Sequence, residues 1–250
     1  MRSHNKGVLF KKEVMGNTFR FKQFTVRQER CAMKVGTDGV LLGAWADLSG
    51  SSRLLDIGTG TGLIALMCAQ RTAPAVRIDA VEIDGEAAAQ AAENIAASPF
   101  AERIAVYRTA LQQFRPSEPY GHILCNPPYF TASLKCPDSR RSTARHNDSL
   151  PFSDLARCVA GMLTPDGCFS TVLPVNEGET FIGIARTYGL CPVRQTLVHP
   201  TPAAGAKRVL LTFAMHAAPP VAADTLTIEL APGIYTEEYI ALTRDFYLKM

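Results

Sequence analysis

This 250-residue sequence has no C-x-x-C pair; its seven cysteines stand singly at Cys31, Cys68, Cys125, Cys136, Cys158, Cys168 and Cys191. An odd number of scattered thiols argues against a disulfide framework or a structural zinc site and suits reduced, buried cysteines. None of the five histidines has a ligand spacing, so no metal is expected. No apolar run approaches the roughly 20 residues that span a bilayer. The opening Met1-Arg2-Ser3-His4-Asn5-Lys6 runs on into more charge without the apolar stretch of a secretion signal. The expectation is a cytosolic chain. Internal repeats are absent, and the Ala/Pro stretch 217–223 is the only low-complexity piece.

What the chain does have is apolar material, 47% by composition, enough to bury one core of α/β size. Its net charge of +3 hides an asymmetry. Residues 1–34 carry nine Lys/Arg against Glu13 and Glu29, a net of +7, which leaves the remainder at −4. Aromatics interleave with this charge, and Phe19-Arg20-Phe21-Lys22-Gln23-Phe24 reads as a strand with one apolar and one basic face. Arg20 and Lys22 could hold phosphates while the rings stack on bases, as on a nucleic-acid strand. The same pattern fits a solvated face over a small apolar cluster. Residues 1–48 are therefore read as a basic, aromatic extension with a lead-in helix, and 49–250 as the main domain.

Within the extension, Cys31 to Ala46 is read as a loop running into a short helix with Thr37 or Asp38 as N-cap and Val40, Leu41, Ala44 and Trp45 on one face. Strands are expected at Arg53–Ile57, Val76–Glu82, Ile104–Tyr107, His122–Cys125, Phe169–Leu173, Leu190–Val198 and Arg208–Phe213. Helices are expected from Gly62 to Arg71, Glu86 to Ala97 (capped by Asp84), Pro151 to Leu163 with Pro151 at N1, and Glu179 to Tyr188. Pro165-Asp166-Gly167 is read as the stop after the third of these helices. Strands separated by helices make a doubly wound α/β fold with a parallel sheet.

Such sheets bind ligands at the carboxyl ends of the strands. There the first strand delivers Asp56-Ile57-Gly58-Thr59-Gly60-Thr61-Gly62, a turn whose glycines Gly58, Gly60 and Gly62 admit a ligand to the backbone. Glu82 ends the second strand 20 residues beyond Gly62, where a carboxylate accepts both hydroxyls of a ribose. A dinucleotide fingerprint wants glycine where this chain has Leu63, and Asp56 opposes a pyrophosphate. A nucleoside cofactor with an ammonium and no phosphate, S-adenosylmethionine, fits better. After the fourth strand comes Asn126-Pro127-Pro128-Tyr129. The prolines fix φ and donate no N–H, so Asn126 is presented rigidly, with the Pro127 carbonyl and the Tyr129 ring beside it. Two acceptors and a ring suit a planar guest bearing an NH2. Asn126 bonding its own backbone in a strand-end turn is the other reading.

In order and spacing, Asp56–Gly62, Glu82 and Asn126–Tyr129 resemble the motifs of class I S-adenosylmethionine-dependent N-methyltransferases. The longer stretches Arg30–Trp45, Asn126–Phe130 and Ala144–His146 are similar to those of bacterial tRNA1(Val) (adenine-37-N6)-methyltransferases. That resemblance implies a Rossmann-like sheet, mostly parallel with an antiparallel hairpin near the C-terminus. It also implies a tRNA substrate and methyl transfer to adenine N6, with Asn126, Pro127 and Tyr129 catalytic. Thr37 is placed near the methionine end of the cofactor, where a plain helix cap is equally compatible. One departure stands out: many relatives carry an acidic residue for the cofactor adenine after the third strand, where this chain reads Arg108-Thr109-Ala110-Leu111-Gln112. That contact falls to backbone groups around Ala110 or to Gln112. Lys135, Arg140, Arg141 and Arg145 read as a phosphate-binding lid or as a solvated loop. Glutamine N5-methylation of a release factor, guanine-N2 methylation of rRNA and a non-catalytic RNA-binding module remain the alternatives.

Overall fold

The computed structural model describes residues 14–15, 17–128, 150–215 and 223–250. Tyr129, Lys135, Arg140, Arg141 and Arg145 lie outside the described residues. The elements are β1 (Val14–Met15), β2 (Thr18–Arg20), β3 (Thr25–Arg27), α1 (Thr37–Trp45), β4 (Arg53–Ile57), α2 (Leu63–Arg71), β5 (Arg77–Glu82), α3 (Gly85–Ala96), β6 (Ile104–Arg108) and β7 (Tyr120–Cys125). They continue with α4 (Phe152–Met162), β8 (Leu163–Pro174), α5 (Val175–Arg186), β9 (Cys191–His199), β10 (Arg208–Ala214), β11 (Asp224–Thr227), β12 (Glu229–Ala231), β13 (Ile234–Tyr235) and α6 (Glu237–Thr243).

Eight strands form one sheet in the order β11-β9-β10-β8-β7-β4-β5-β6. All run the same way except β10, which is antiparallel to both β8 and β9. The chain steps outward from β4 through β5 to β6, then returns to lay β7 on the other side of β4. The order therefore reverses at β4, and the crevice of a doubly wound sheet opens there. Central strands are buried on both faces, which is why they read as near-continuous apolar runs. Alternate residues divide between two cores. Leu54, Ile78, Ala80 and Leu124 face α1, α2, α3 and the N-terminal strands; Leu55, Ile57, Val81 and Ile123 face α4 and α5.

Several boundaries depart from the sequence reading. The Phe19–Phe24 stretch is a hairpin and not one strand: β2 pairs with β3, and Phe21 N–H donates to the Phe24 carbonyl across the turn. The N-cap of α1 is Gly36, with Thr37 and Asp38 already helical; that of α4 is Pro151. β8 starts at Leu163, directly after α4. Tyr120 faces Leu163 but His122 faces Cys168, so Pro165-Asp166-Gly167 is a bulge inside the strand, where a missing N–H is tolerated. α5 starts at Val175, four residues early, because Gly178 sits flush on β10: a Cβ there would lie 2.4 Å from Val209 Cγ1. Packing outweighs the poor helix propensity of glycine. The edge strand β11 and the β12–β13 hairpin are too short to carry a period of their own.

Candidate active site

After β4 the chain turns through Gly58, Gly60 and Gly62 at φ of +67°, +55° and +83°. Side chains strain this left-handed conformation, so glycine is required for the turn itself. Around Gly58 an added Cβ would meet nothing within 4 Å, which leaves the backbone face open to a ligand. The Gly58 and Thr59 N–H groups both donate to the Val81 carbonyl, pinning the loop to β5. Asp56 is buried beneath it. Its Oδ2 accepts from the Thr59 hydroxyl and, at 3.1 Å, from Ala65 N–H at the start of α2. Oδ1 is buried with no protein partner. Burial pushes the carboxyl up to about 7 against those two hydrogen bonds, and the Glu82 charge adds to the rise.

Glu82 closes the loop from β5, accepting from Gly60 N–H at 2.9 Å on Oε2 and from Asp84 N–H at 3.0 Å on Oε1. Each carboxylate oxygen keeps a further lone pair for a hydroxyl donor. The next residue, Ile83, is 50% exposed at the strand end. The sequence analysis did not single it out; an exposed isoleucine directly after Glu82 was the available signal. At the end of β6, Thr109 N–H donates to the Glu82 carbonyl at 2.9 Å, which brings Ala110 to the same edge. Gln112 Nε2 donates to Asp154 Oδ2 of α4 at 3.0 Å, so its amide N–H faces that helix.

Asn126 and Pro127 follow β7 on the other side of β4, half-buried and buried respectively. The first turn of α1 lies near Asn126. A Cβ on Gly39 would stand 3.9 Å from Asn126 Nδ2 and 3.1 Å from Leu63 Cδ2 at the head of α2. Thr37 occupies that first turn, and Asp38 Oδ2 accepts from Arg208 Nε at 2.8 Å. The glycine loop, Glu82, Ala110, Asn126 and the α1 turn thus share the carboxyl edge of neighbouring strands β7, β4, β5 and β6.

The basic hairpin departs from one of its two readings. Phe19, Phe21 and Phe24 are buried, and the first two pack on Tyr247 near the C-terminus. They are core rings, with no face left for a base. Arg20 is exposed, whereas Lys22 Nζ donates to the Arg244 and Met250 carbonyls. Among the described residues, no group of three or more His, Cys, Asp or Glu is placed to hold a metal ion.

The family described as Methyltransferase small domain matches residues 36–138. Among curated relatives, the tRNA1(Val) (adenine(37)-N6)-methyltransferase of Bacteroides fragilis (strain YCH46) is 52% identical over 238 residues, covering 93% of this chain and 98% of the relative. The chain belongs to the tRNA1(Val) (adenine(37)-N6)-methyltransferase family. A Klebsiella pneumoniae member is 47% identical over 236 residues, covering 94% of this chain and 96% of its own. Solved structures agree on the fold: the predicted O-methyltransferase Atu636 of Agrobacterium tumefaciens superposes with a TM-score of 0.66 at 21% identity, covering 84% of this chain and 96% of that one. The glycopeptide N-methyltransferase MtfA, solved with S-adenosyl-L-methionine, gives 0.53 at 14% identity over 73% of this chain and 89% of its own. The family's methyltransferase core thus coincides with the β4–β7 edge described above.

Proposed function

We propose that this chain transfers a methyl group from S-adenosylmethionine to the exocyclic N6 amine of adenosine 37 in tRNA1(Val). The observation that carries this is the convergence of the glycine loop, Glu82 and Asn126-Pro127 on adjacent strand ends at the switch point. The residues fit the cofactor. Glu82 takes the ribose hydroxyls and Gly58–Gly62 the close backbone approach; the orphaned Asp56 Oδ1 suits a cationic donor. Thr37 borders the methionine end. Ile83 and Ala110 give the adenine an apolar wall, with backbone groups in place of an acidic partner. Bound there, S-adenosylmethionine supplies an electrophilic methyl on sulfonium, and no metal is needed.

The chain's own task is the amine. The N6 lone pair of adenine is delocalised into the ring and is a poor nucleophile. Asn126 Oδ1 and the Pro127 carbonyl accept its two N–H bonds, favouring a pyramidal nitrogen and stabilising the charge that develops on it. Tyr129 stacks on the base. Orientation then does much of the rest. A base in an anticodon loop is already largely unpaired, so bringing it out costs less than from a duplex. Arg20, Lys135, Arg140, Arg141 and Arg145 supply phosphate contacts; Lys22, tied to the C-terminal carbonyls, has the weaker claim. A tRNA substrate puts the reaction in the cytosol.

Incubation with labelled S-adenosylmethionine and total tRNA, followed by nucleoside analysis, tests this. N6-methyladenosine in one tRNA is expected. Label on guanine, on a glutamine side chain or spread over the pool would overturn the substrate assignment.

A further inference from the structure

We infer that Arg208 is a positioning residue for Asn126, acting through Asp38 and the first turn of α1; this rests on the reading of Asn126 as the amine acceptor. Among the described residues, β10 is the one strand of the main sheet that runs against the others, so its first residue, Arg208, emerges at the edge where β4 and β7 end. That reversal lets a residue 170 positions further along the chain meet Asp38, Nε to Oδ2 at 2.8 Å, with both side chains partly buried. The next residue, Gly39, has no side chain, and the helix backbone there lies about one side-chain atom away from the Asn126 amide. An added Cβ would touch Nδ2 at 3.9 Å while pressing Leu63 at 3.1 Å. The first turn of α1 therefore lies between the Asn126 amide and the head of α2, and the Arg208 ion pair fixes it from the sheet side.

A helix N-terminus already favours the negative charge of Asp38, so α1 forms without Arg208. The ion pair instead fixes where the turn sits. Catalysis is sensitive to such placement, since a shift of about 1 Å in a positioning group costs up to about 100-fold in rate. The effect is read in kcat, because the turn backs the substrate acceptor; cofactor KM moves less, through Thr37 of the same turn at the methionine end.

The test is a double-mutant cycle of Asp38→Asn and Arg208→Gln, with kcat and cofactor KM measured and the Asn126 side-chain amide followed by nitrogen-15 NMR. Each single change should lower kcat by about tenfold and shift the Asn126 resonance, with a smaller change in cofactor KM. The double variant should be no worse than either single one. Lys207→Gln, an exposed neighbour, should move nothing. Multiplicative losses, an unmoved Asn126 resonance, or a loss confined to cofactor KM would each overturn the inference. Should Arg208→Gln fail to fold, Arg208→Lys keeps the charge but not the planar fork, and the same resonance and the same cycle decide. Asn126→Ala is run alongside: wild-type turnover there removes the catalytic reading of Asn126, while the resonance still reports whether Arg208 positions it.

Discussion

At Asp56, burial outweighs two hydrogen bonds and holds the carboxyl near 7; at His122 it works in the opposite sense and lowers the imidazole to about 4. His122 Nε2 lies 2.9 Å from Ser170 Oγ, which in turn lies 2.9 Å from Thr212 Oγ1, a buried chain spanning β7, β8 and β10. For Asp56 the folded pKa lies above the unfolded value near 3.8, so its contribution is present below pH 3.8 and lost as pH rises toward 7. For His122 the unfolded state binds the extra proton, so stability is lost as pH falls from about 6.5 to about 4. Each is worth on the order of 3–4 kcal/mol, and between pH 4 and 6.5 they oppose one another. Thermal unfolding of Asp56→Asn should therefore fall more steeply with acid than wild type across that window, and His122→Asn less steeply. At the site itself, Asn126→Ala should lower turnover by about 10²–10³-fold with cofactor binding intact. Glu82→Ala should instead weaken cofactor binding by about 1.5–3 kcal/mol in calorimetry. Part of that loss is indirect, because Gly60 N–H and Asp84 N–H lose their acceptor as well.

Between elements, Asn94 of α3 does more than fill space. Its Oδ1 accepts from Arg27 N–H at 2.9 Å, and its Nδ2 donates to the Arg27 and Thr61 carbonyls at 2.8 Å each. One buried amide thus joins strand β3 to the glycine loop. Asn94→Leu fits the volume but leaves three backbone groups without that partner, each worth about 1–3 kcal/mol when buried. A lowered Tm with weakened cofactor binding is the expected pair of results, read by calorimetry; a Tm loss with unchanged affinity would confine Asn94 to the scaffold. Helix α1 shows the complementary case, an element buried from Gly39 to Trp45 that packs on α2 through Gly43. A Cβ there would stand 2.8 Å from Met67 Sδ, so Gly43→Ala must displace that side chain.

Over the whole molecule, the N-terminal hairpin closes on the C-terminal segment. Phe21 stacks on Phe24 at 4.8 Å and lies 5.9 Å from Tyr247, while Lys22 holds the Arg244 carbonyl. Trp45 Nε1 donates to Thr196 Oγ1 at 3.0 Å, and the Arg194 guanidinium covers the Trp45 ring at 4.1 Å, tying α1 to β9. Phe21→Ala should cost about 3–5 kcal/mol through the cavity it leaves. Phe21→Leu should keep most of the stability and leave tRNA affinity and its salt dependence unchanged. A fall in affinity for folded Phe21→Leu would restore the ring to the RNA face.

Local chemistry was legible wherever a residue type permits only one backbone or one partner. Gly58, Gly60 and Gly62 announce a left-handed turn, Asp84 caps α3 by accepting from Ala87 N–H, and Pro127 forbids a strand; these follow from side-chain sterics and hydrogen bonding along the chain. The alternation of strands and helices determined the doubly wound sheet for the same reason. The fate of the aromatic hairpin was not legible, because alternation of Phe with Arg and Lys describes a face without saying what covers it. Tyr247 covers it, from more than 200 residues away. Nor could the sequence pair Asp38 with Arg208 or bring Gly39 against Asn126. Those contacts exist because β10 runs backwards and β7 inserts beside β4, and strand order is settled by which faces bury together, a property of the whole sheet.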